Sequence, residues 1–487
     1  MTGTASDRPR LTRPDYAPNP AIGIVHLGLG AFFRAHGALY IEEAMEKSGG
    51  DWGVLGVSLR HPDLRDRLAP QGCAYSACEL GPDGETVRIG TAVQSMLVAP
   101  ENPGAVLDAM ADPAVKIVSL TVTEKGYCHA PSTGKLDFSH PDIVADLADP
   151  ERPRSAPGFL CRALDRRRKA GTPPFTVLCC DNLPENGAML RGIVLELAGR
   201  MDEDLAGWIE AECAFPCTMV DRIVPATTEA DIERLAERTG VFDAAPVMHE
   251  PFRQWVVEDG FTGGARPDLG AVGVELVEDV RPYEHMQLRC LNGTHSALAY
   301  LGYLAGAETI SDAVARPALA GFIRHLWAKE IIPVLTAPTG VDLNAYAGAL
   351  MDRYANPGIR HRTWQIAMDG SLKLPQRLLG SIAENLEAGH APEGLFLVVA
   401  AWMRYTSGVD ENGRPIDVRD PMSDRFRAIW EKDGSPAAIV RDYLTIEEIF
   451  PASLASDPTM REGLEKALVT LMDIGAAKAA ARFVAPA

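Results

Sequence analysis

The chain has 487 residues, 46% hydrophobic and 23% charged, which allows two or three domains and a large buried core. A formal net charge of −19 excludes nucleic acid or an anionic membrane surface as the natural partner, while leaving room for a locally positive site. Apolar runs such as Ile117-Val118-Ser119-Leu120-Thr121-Val122 are far too short to span a bilayer.

The first twenty residues carry Arg8, Arg10, Arg13 and four prolines, with no apolar signal core, and read as a flexible arm. Apolar strand runs follow at 22–27, 54–59, 115–123, 175–180 and 272–276, several of them apolar on both faces. Helical stretches at 33–47, 103–111, 158–170, 187–198 and 202–213 alternate with them. This alternation predicts an open, doubly wound α/β domain over 1–280. Beyond 280 strand runs nearly vanish. Amphipathic windows at 283–305, 317–330, 343–354, 374–388, 395–406, 423–432, 436–444 and 461–475 predict a mostly α-helical domain over 281–487. The Ala-rich end, 475–487, reads as a last helical turn or a frayed tail.

Nine cysteines, an odd number without Cys-x-x-Cys spacing, fit a reduced cytoplasmic protein with buried thiols. Cys213-x-x-x-Cys217 leaves a disulfide or half a metal site open.

The first strand runs into Gly28-Leu29-Gly30-Ala31-Phe32-Phe33-Arg34-Ala35-His36. Gly28 permits a tight turn, and Gly30 lets the backbone approach a pyrophosphate at a helix start. The third glycine of the dinucleotide fingerprint is absent, and Phe33 stands there. After the second strand, Asp63 is the nearest carboxylate for an adenosine ribose and favours NAD. Arg60 and His61 come sooner and leave NADP open.

Polar clusters follow later strands: Thr123-Glu124-Lys125-Gly126, Cys180-Asp181-Asn182-Leu183-Pro184 and Val220-Asp221-Arg222. In an open α/β sheet, ligands bind beyond the carboxyl ends of the strands. The most informative stretch is Tyr283-Glu284-His285-Met286-Gln287-Leu288-Arg289-Cys290-Leu291-Asn292-Gly293-Thr294-His295. At about 100° per residue, positions 287, 292 and 295 share an arc of roughly 140°, and His285 points away from it.

Taken in order, these segments, with Gly-x-Gly-x-Phe-x-Arg-Ala-His and Asp369-Gly370-Ser371-Leu372-Lys373, resemble the long-chain mannitol dehydrogenase family of polyol dehydrogenases over roughly 22 to 450. The resemblance implies a Rossmann-type domain before a helical one and NAD as cofactor, bound by Gly28, Gly30, Phe32, Phe33, Arg34 and Asp63, with no metal. It implies hydride transfer to or from a secondary alcohol or ketone of an open-chain polyol or keto-sugar, in a monomer or small homo-oligomer.

By matching position, Asn292 and Asn182 are the donors to the alkoxide and His295 orients the substrate. Lys373 contacts the substrate end. Glu124, Asp221 and Glu284 are supporting or proton-relay carboxylates. The family's lysine base falls at Gln287, which is neutral and cannot accept an alcohol proton. An arginine position near Trp364 holds Gln365.

Three readings follow. The enzyme works on another polyol or keto-sugar, with Lys373, His295 or a carboxylate-held water carrying the proton. It binds cofactor and a sugar-like ligand with little turnover. Or it is an ordinary dehydrogenase with an engineered or accidental exchange at 287. A different class, sugar-phosphate or hydroxyacid dehydrogenases with helical dimerisation domains, shares the same order of domains.

Overall fold

The computed structural model describes residues 5–130, 134–432 and 434–484. The chain divides into two compact units, Met1–Arg281 and Pro282–Ala487.

Unit 1 holds eleven strands among its described residues: β1 (Ile22–Leu27), β2 (Gly53–Ser58), β3 (Tyr75–Gly81), β4 (Gly84–Gly90), β5 (Val93–Val98), β6 (Ile117–Leu120), β7 (Thr176–Cys179), β8 (Thr218–Asp221), β9 (Val247–His249), β10 (Gln254–Glu258) and β11 (Glu275–Val277). The central sheet has the order β5-β2-β1-β6-β7, and every pairing in it is parallel. The pleat explains why its strands are apolar on both faces. Val25 and Leu27 join Val118, Leu120, Phe159 and Leu164 on one side. Ile24 joins Ile117, Leu178, Phe33, Ile41 and Trp255 on the other. Strand order reverses at β1, so the crevice for a ligand opens at the carboxyl ends of β1, β2 and β6.

Two smaller sheets, β11-β10-β8 and β4-β3-β9, complete the unit. Apart from β11, their strands are not among the predicted runs: several are three or four residues long, and β4 alternates instead of running apolar. The run at 272–276 is only partly extended, with a 3-10 turn at Leu269–Val272 before the three residues of β11.

The N-terminal segment is not a loose arm over the residues described. Leu11 is buried, its N–H donates to Phe242 O at 2.8 Å, and Arg8 donates to Ala236 O. The Arg13 guanidinium donates to Thr91 O at 2.7 Å and Val93 O at 3.1 Å. One cation thus satisfies several carbonyls beside β5, which fixes the segment. Residues 1–4 of the expected arm lie outside those described.

All nine cysteines are buried, and none forms a disulfide. The Cys213 thiol donates to Phe175 O at 3.2 Å. Among the described residues, no helix is long and apolar enough to cross a membrane.

Three buried histidines of unit 1 are held neutral by burial, His26 and His36 pushed down to about 3 and His249 to about 4. Each titrates below an unfolded imidazole, so the unfolded chain binds more protons in acid. Stability is therefore full above about pH 6.5 and falls as the pH drops towards 4, by up to ~1.4 kcal/mol per pH unit for each histidine. The urea midpoint should fall steeply over that range; a flat midpoint from pH 7 to 4 would refute the prediction.

Among the described residues of unit 2 the named elements are all helices, and its first long helix is not uniform. Arg281–Met286 and Thr294–Leu304 are α-helical, but Gln287–Gly293 between them is π-helical. A widened turn releases carbonyls from the α ladder, and side chains take them. Trp327 Nε1 donates to Cys290 O at 2.9 Å, and Tyr354 OH donates to Leu291 O at 2.8 Å. Leu326–Ile331 is also π-helical, and so is Pro375–Leu379, which begins at a proline with no N–H for an α ladder and packs on the first π segment. The two segments meet at Gly293, where a Cβ would lie 2.8 Å from Arg377 O. Near the end of the chain, Ala476–Ala481 is helical and the Phe483 ring packs edge-on to Phe322 at 5.1 Å. The last residues of the tail, 485–487, lie outside those described.

Candidate functional site

In unit 1, Gly28 ends β1 with φ 85, and a Cβ there would sit 2.4 Å from Thr121 O. Only glycine fits this close approach of two strand ends. At Gly30 a Cβ would meet nothing nearer than Gly28 O at 3.7 Å, so the backbone is open to a ligand. A cleft of about 350 Å³ lies here, lined by Gly28, Ser58, Asp63, Thr121 and Val122 among others. Arg60, His61 and Arg154 line it and also a neighbouring cavity of about 620 Å³. Asp63 is exposed at the start of Asp63–Leu68, and Arg60 pairs with Asp142 at 2.8 Å.

Two residues assigned to cofactor binding have other work. Phe33 is buried and stacks on His26 at 3.5 Å. Arg34 is buried, donating to Gly30 O at 3.2 Å and Ala245 O at 2.5 Å. Both hold the turn from beneath; their side chains do not line the cleft. Phe32 is half-buried and stacks on His36 at 5.1 Å.

The loop after β6 is strained. Thr123, next to Glu124, has φ 65 and ψ 164, a conformation unusual for a β-branched residue. Asp181 holds it. Its carboxylate accepts from Val122 N–H at 2.8 Å, Thr123 N–H at 3.2 Å and Tyr127 OH at 2.6 Å. Burial raises the Asp181 pKa above the usual carboxylate range. Sequence reasoning passed over Asp181 for its neighbour, because an Asp-Asn pair before Leu-Pro reads as a turn. Glu124 and Asn182 are exposed at the ends of β6 and β7, whereas Asp221 is buried at the end of β8. Arg222, beside it, donates to Ala35 O and Glu250 O.

Among the described residues, Cys128, His140 and Asp142 could converge on a metal ion. Protein partners already engage two of them: His140 Nδ1 accepts from Asp142 N–H, and Asp142 pairs with Arg60.

In unit 2, Glu284, Gln287, Asn292 and His295 are all buried along the first helix, and His285 is exposed. The π turn alters their phase. Residues five apart, Gln287 and Asn292, are separated by about one turn of an i→i+5 ladder rather than by the offset an α-helix would give. Asn292 Nδ2 and His295 Nε2 are buried without a hydrogen-bond partner among the described residues. Such atoms are costly unless something outside the chain satisfies them.

His295 lies 5.2 Å from the Tyr354 ring and 4.8 Å, edge to face, from His361. Burial first, then His361, Arg377, Arg353 and Lys373, pushes the His295 pKa well below the ordinary imidazole value. Arg377 donates to Ser296 Oγ at 3.2 Å. Lys373 is half-buried and donates to Met368 O at 2.5 Å and Ile366 O at 3.3 Å. Its anchoring loop turns at Asp369, another non-glycine residue with positive φ, at 55°. Gln365 is exposed on the short helix Thr363–Ala367. Arg377 and His361 were missed by sequence reasoning; only packing shows that both neighbour His295.

Two family descriptions cover most of the chain: the mannitol dehydrogenase Rossmann domain at residues 22–270 and the mannitol dehydrogenase C-terminal domain at 279–472. A D-mannonate oxidoreductase of Escherichia coli (strain K12) is 50% identical over 411 residues, covering 83% of this chain and 84% of its own. A mannitol 2-dehydrogenase of Aspergillus fumigatus is 39% identical over 481 residues, 97% of this chain and 95% of its own. Pseudomonas fluorescens mannitol 2-dehydrogenase, solved as a ternary complex with NAD and D-mannitol, superposes with a TM-score of 0.86 at 38% identity, covering 97% of this chain and 96% of its own. With a doubly wound domain, a helical domain and the ordered motifs of both, the chain belongs to the mannitol dehydrogenase family of oxidoreductases.

Proposed function

We propose that the protein transfers a hydride reversibly between NAD(H) and a secondary alcohol or ketone of an open-chain sugar derivative, either a polyol or a sugar acid. The observation that carries this reading is the buried pair of unpartnered donors and acceptors, Asn292 Nδ2 and His295 Nε2, on one helix. When bound, the nicotinamide ring supplies or accepts the hydride.

The protein's residues do the rest. Asn292 donates to the oxygen as negative charge develops on it. His295, neutral and held between Tyr354 and His361, orients the neighbouring hydroxyl. Lys373, tethered by two carbonyls, reaches the substrate end. Asn182 is a second donor to the alkoxide, with Glu124, Asp221 and Glu284 as supporting or relay carboxylates. Gly28 and Gly30 let the backbone approach the pyrophosphate, and Asp63 serves the ribose.

Arg377, Arg353 and Lys373 all act on His295, which favours the sugar-acid form of the substrate over the neutral polyol. The 50% identity to a D-mannonate oxidoreductase supports the same preference. Gln287 supports a second reading, cofactor and ligand binding with slow turnover. Initial rates with NAD(H) and NADP(H) against hexitols, pentitols, ketoses, aldonates and ketouronates separate the two. Turnover of at least one aldonate or polyol is expected; cofactor binding without turnover of any would leave the second reading standing.

A further inference from the structure

His361 figures above only as a ring packed against His295, with no contact to substrate assigned to it, and it is built into place. Its N–H donates to Ile359 O at 2.9 Å, and its carbonyl accepts from Ile310 N–H at 3.0 Å, so the backbone is fixed from both sides. Its ring stands edge-on to His295 at 4.8 Å. Its Nδ1 is buried with no hydrogen-bond partner among the described residues, as are His295 Nε2 and Asn292 Nδ2. Three unsatisfied polar atoms in one neighbourhood exceed what packing tolerates without a ligand or water.

The field around the two rings decides which oxygen. Lys373 and Arg377 act on both imidazoles, and each lowers its affinity for a proton. Burial is the first cause at both rings, and the charged side chains that act on both after it, Lys373 and Arg377, are cations. A protonated imidazole is disfavoured there and an anionic oxygen is favoured, since a neutral ring can donate N–H to it while the cations balance its charge.

We propose that His361 is a specificity residue of this site, its Nδ1 hydrogen-bonding the carboxylate of a bound sugar acid beside His295, so that the imidazole pair separates sugar acids from neutral polyols. The inference rests on the hydride-transfer reading. A site built to hydrogen-bond a given group rejects the analogue lacking it, because its buried polar atoms are then left unpaired.

The test compares D-mannonate with D-mannitol, which differ only at the terminal carboxylate, in the full chain with NAD(H). Mannitol is read as substrate or, where it is not turned over, as a competitor. His361→Phe keeps the ring and its packing but removes both nitrogens. Expected is a rise of at least tenfold in KM for mannonate, with little change for mannitol, and with cofactor affinity and melting temperature near those of the parent. His361→Gln, which keeps a polar donor, should recover part of the loss.

Equal losses on both compounds, or no loss on mannonate, would overturn the inference and leave hydride transfer untouched. If the parent protein neither binds nor turns over either compound, the inference falls, while the functional reading falls only if the whole panel of polyols, ketoses, aldonates and ketouronates is also negative.

Discussion

Replacing Gln287 with lysine should raise the rate of alcohol oxidation at pH 8 to 9 by about 100-fold or more. A positioned general base contributes on the order of 10²- to 10⁴-fold, and an amide side chain contributes none of it. Position 287 is suited to the task. It opens the π-helical turn and is only 3% exposed, so burial would pull a lysine pKa down from its ordinary value towards the working range. The same turn sets residue 287 about one helical turn from Asn292, so base and alkoxide donor would address one oxygen. Burying an ammonium should also cost stability, seen as a lower urea midpoint. The informative measurement is the pH dependence of kcat: a new ascending limb in the variant, absent from the parent. An unchanged rate, with cofactor and substrate affinities intact, would mean the proton leaves through another group.

Asp181→Ala should weaken the fold by about 2 to 3 kcal/mol and cofactor binding by about tenfold. The carboxylate is the acceptor for Val122 N–H, Thr123 N–H and the Tyr127 hydroxyl, and a stranded buried donor costs about 1 to 3 kcal/mol. Tyr127 retains a contact with Cys179 Sγ at 2.9 Å and Thr123 reaches solvent, so the full sum is not expected. A conformation like that of Thr123 costs about 1 to 3 kcal/mol and persists only while its surroundings enforce it. Without Asp181 the turn relaxes, and Thr121 and Val122, which line the cofactor cleft, move with it. Urea unfolding and cofactor titration would measure the two effects. A variant with parental stability and cofactor affinity would show that the turn holds itself.

The sequence was legible wherever burial imposed a pattern on it. β1, β2, β6 and β7 are apolar on both faces because helices cover both sides of the parallel sheet, and that doubled constraint shows in the residues. Strands β8 and β9 hide theirs, being four and three residues long and ending on Asp221 and His249. Gln287 to Gly293 has an ordinary helical composition; whether such a turn widens depends on distant donors such as Trp327 and Tyr354 finding its carbonyls. The motif residues Asn292 and His295 could be named from the family resemblance. Phe33 and Arg34 could be named too, but their burial beneath the turn shows only in the packing. His361 and Arg377 lie 66 and 82 positions beyond His295, and no local rule joins residues so far apart in the chain.

The widened turn also governs how this helix tolerates changes in length. Loss of one residue among Leu288, Arg289 and Cys290 would let an ordinary α ladder run through the segment. The extra residue that widens the turn would be gone, and the flanking α segments, Arg281–Met286 and Thr294–Leu304, would keep nearly the same phase. Thr294–Leu304 would remain helical and Asn292, then four residues after Gln287, would stay about one turn from it, while the Trp327 and Tyr354 donors would lose the carbonyls that the widened turn frees. At this point in the chain, a single-codon deletion would spare the phase of the motif residues and strand two buried donors, Trp327 Nε1 and the Tyr354 hydroxyl.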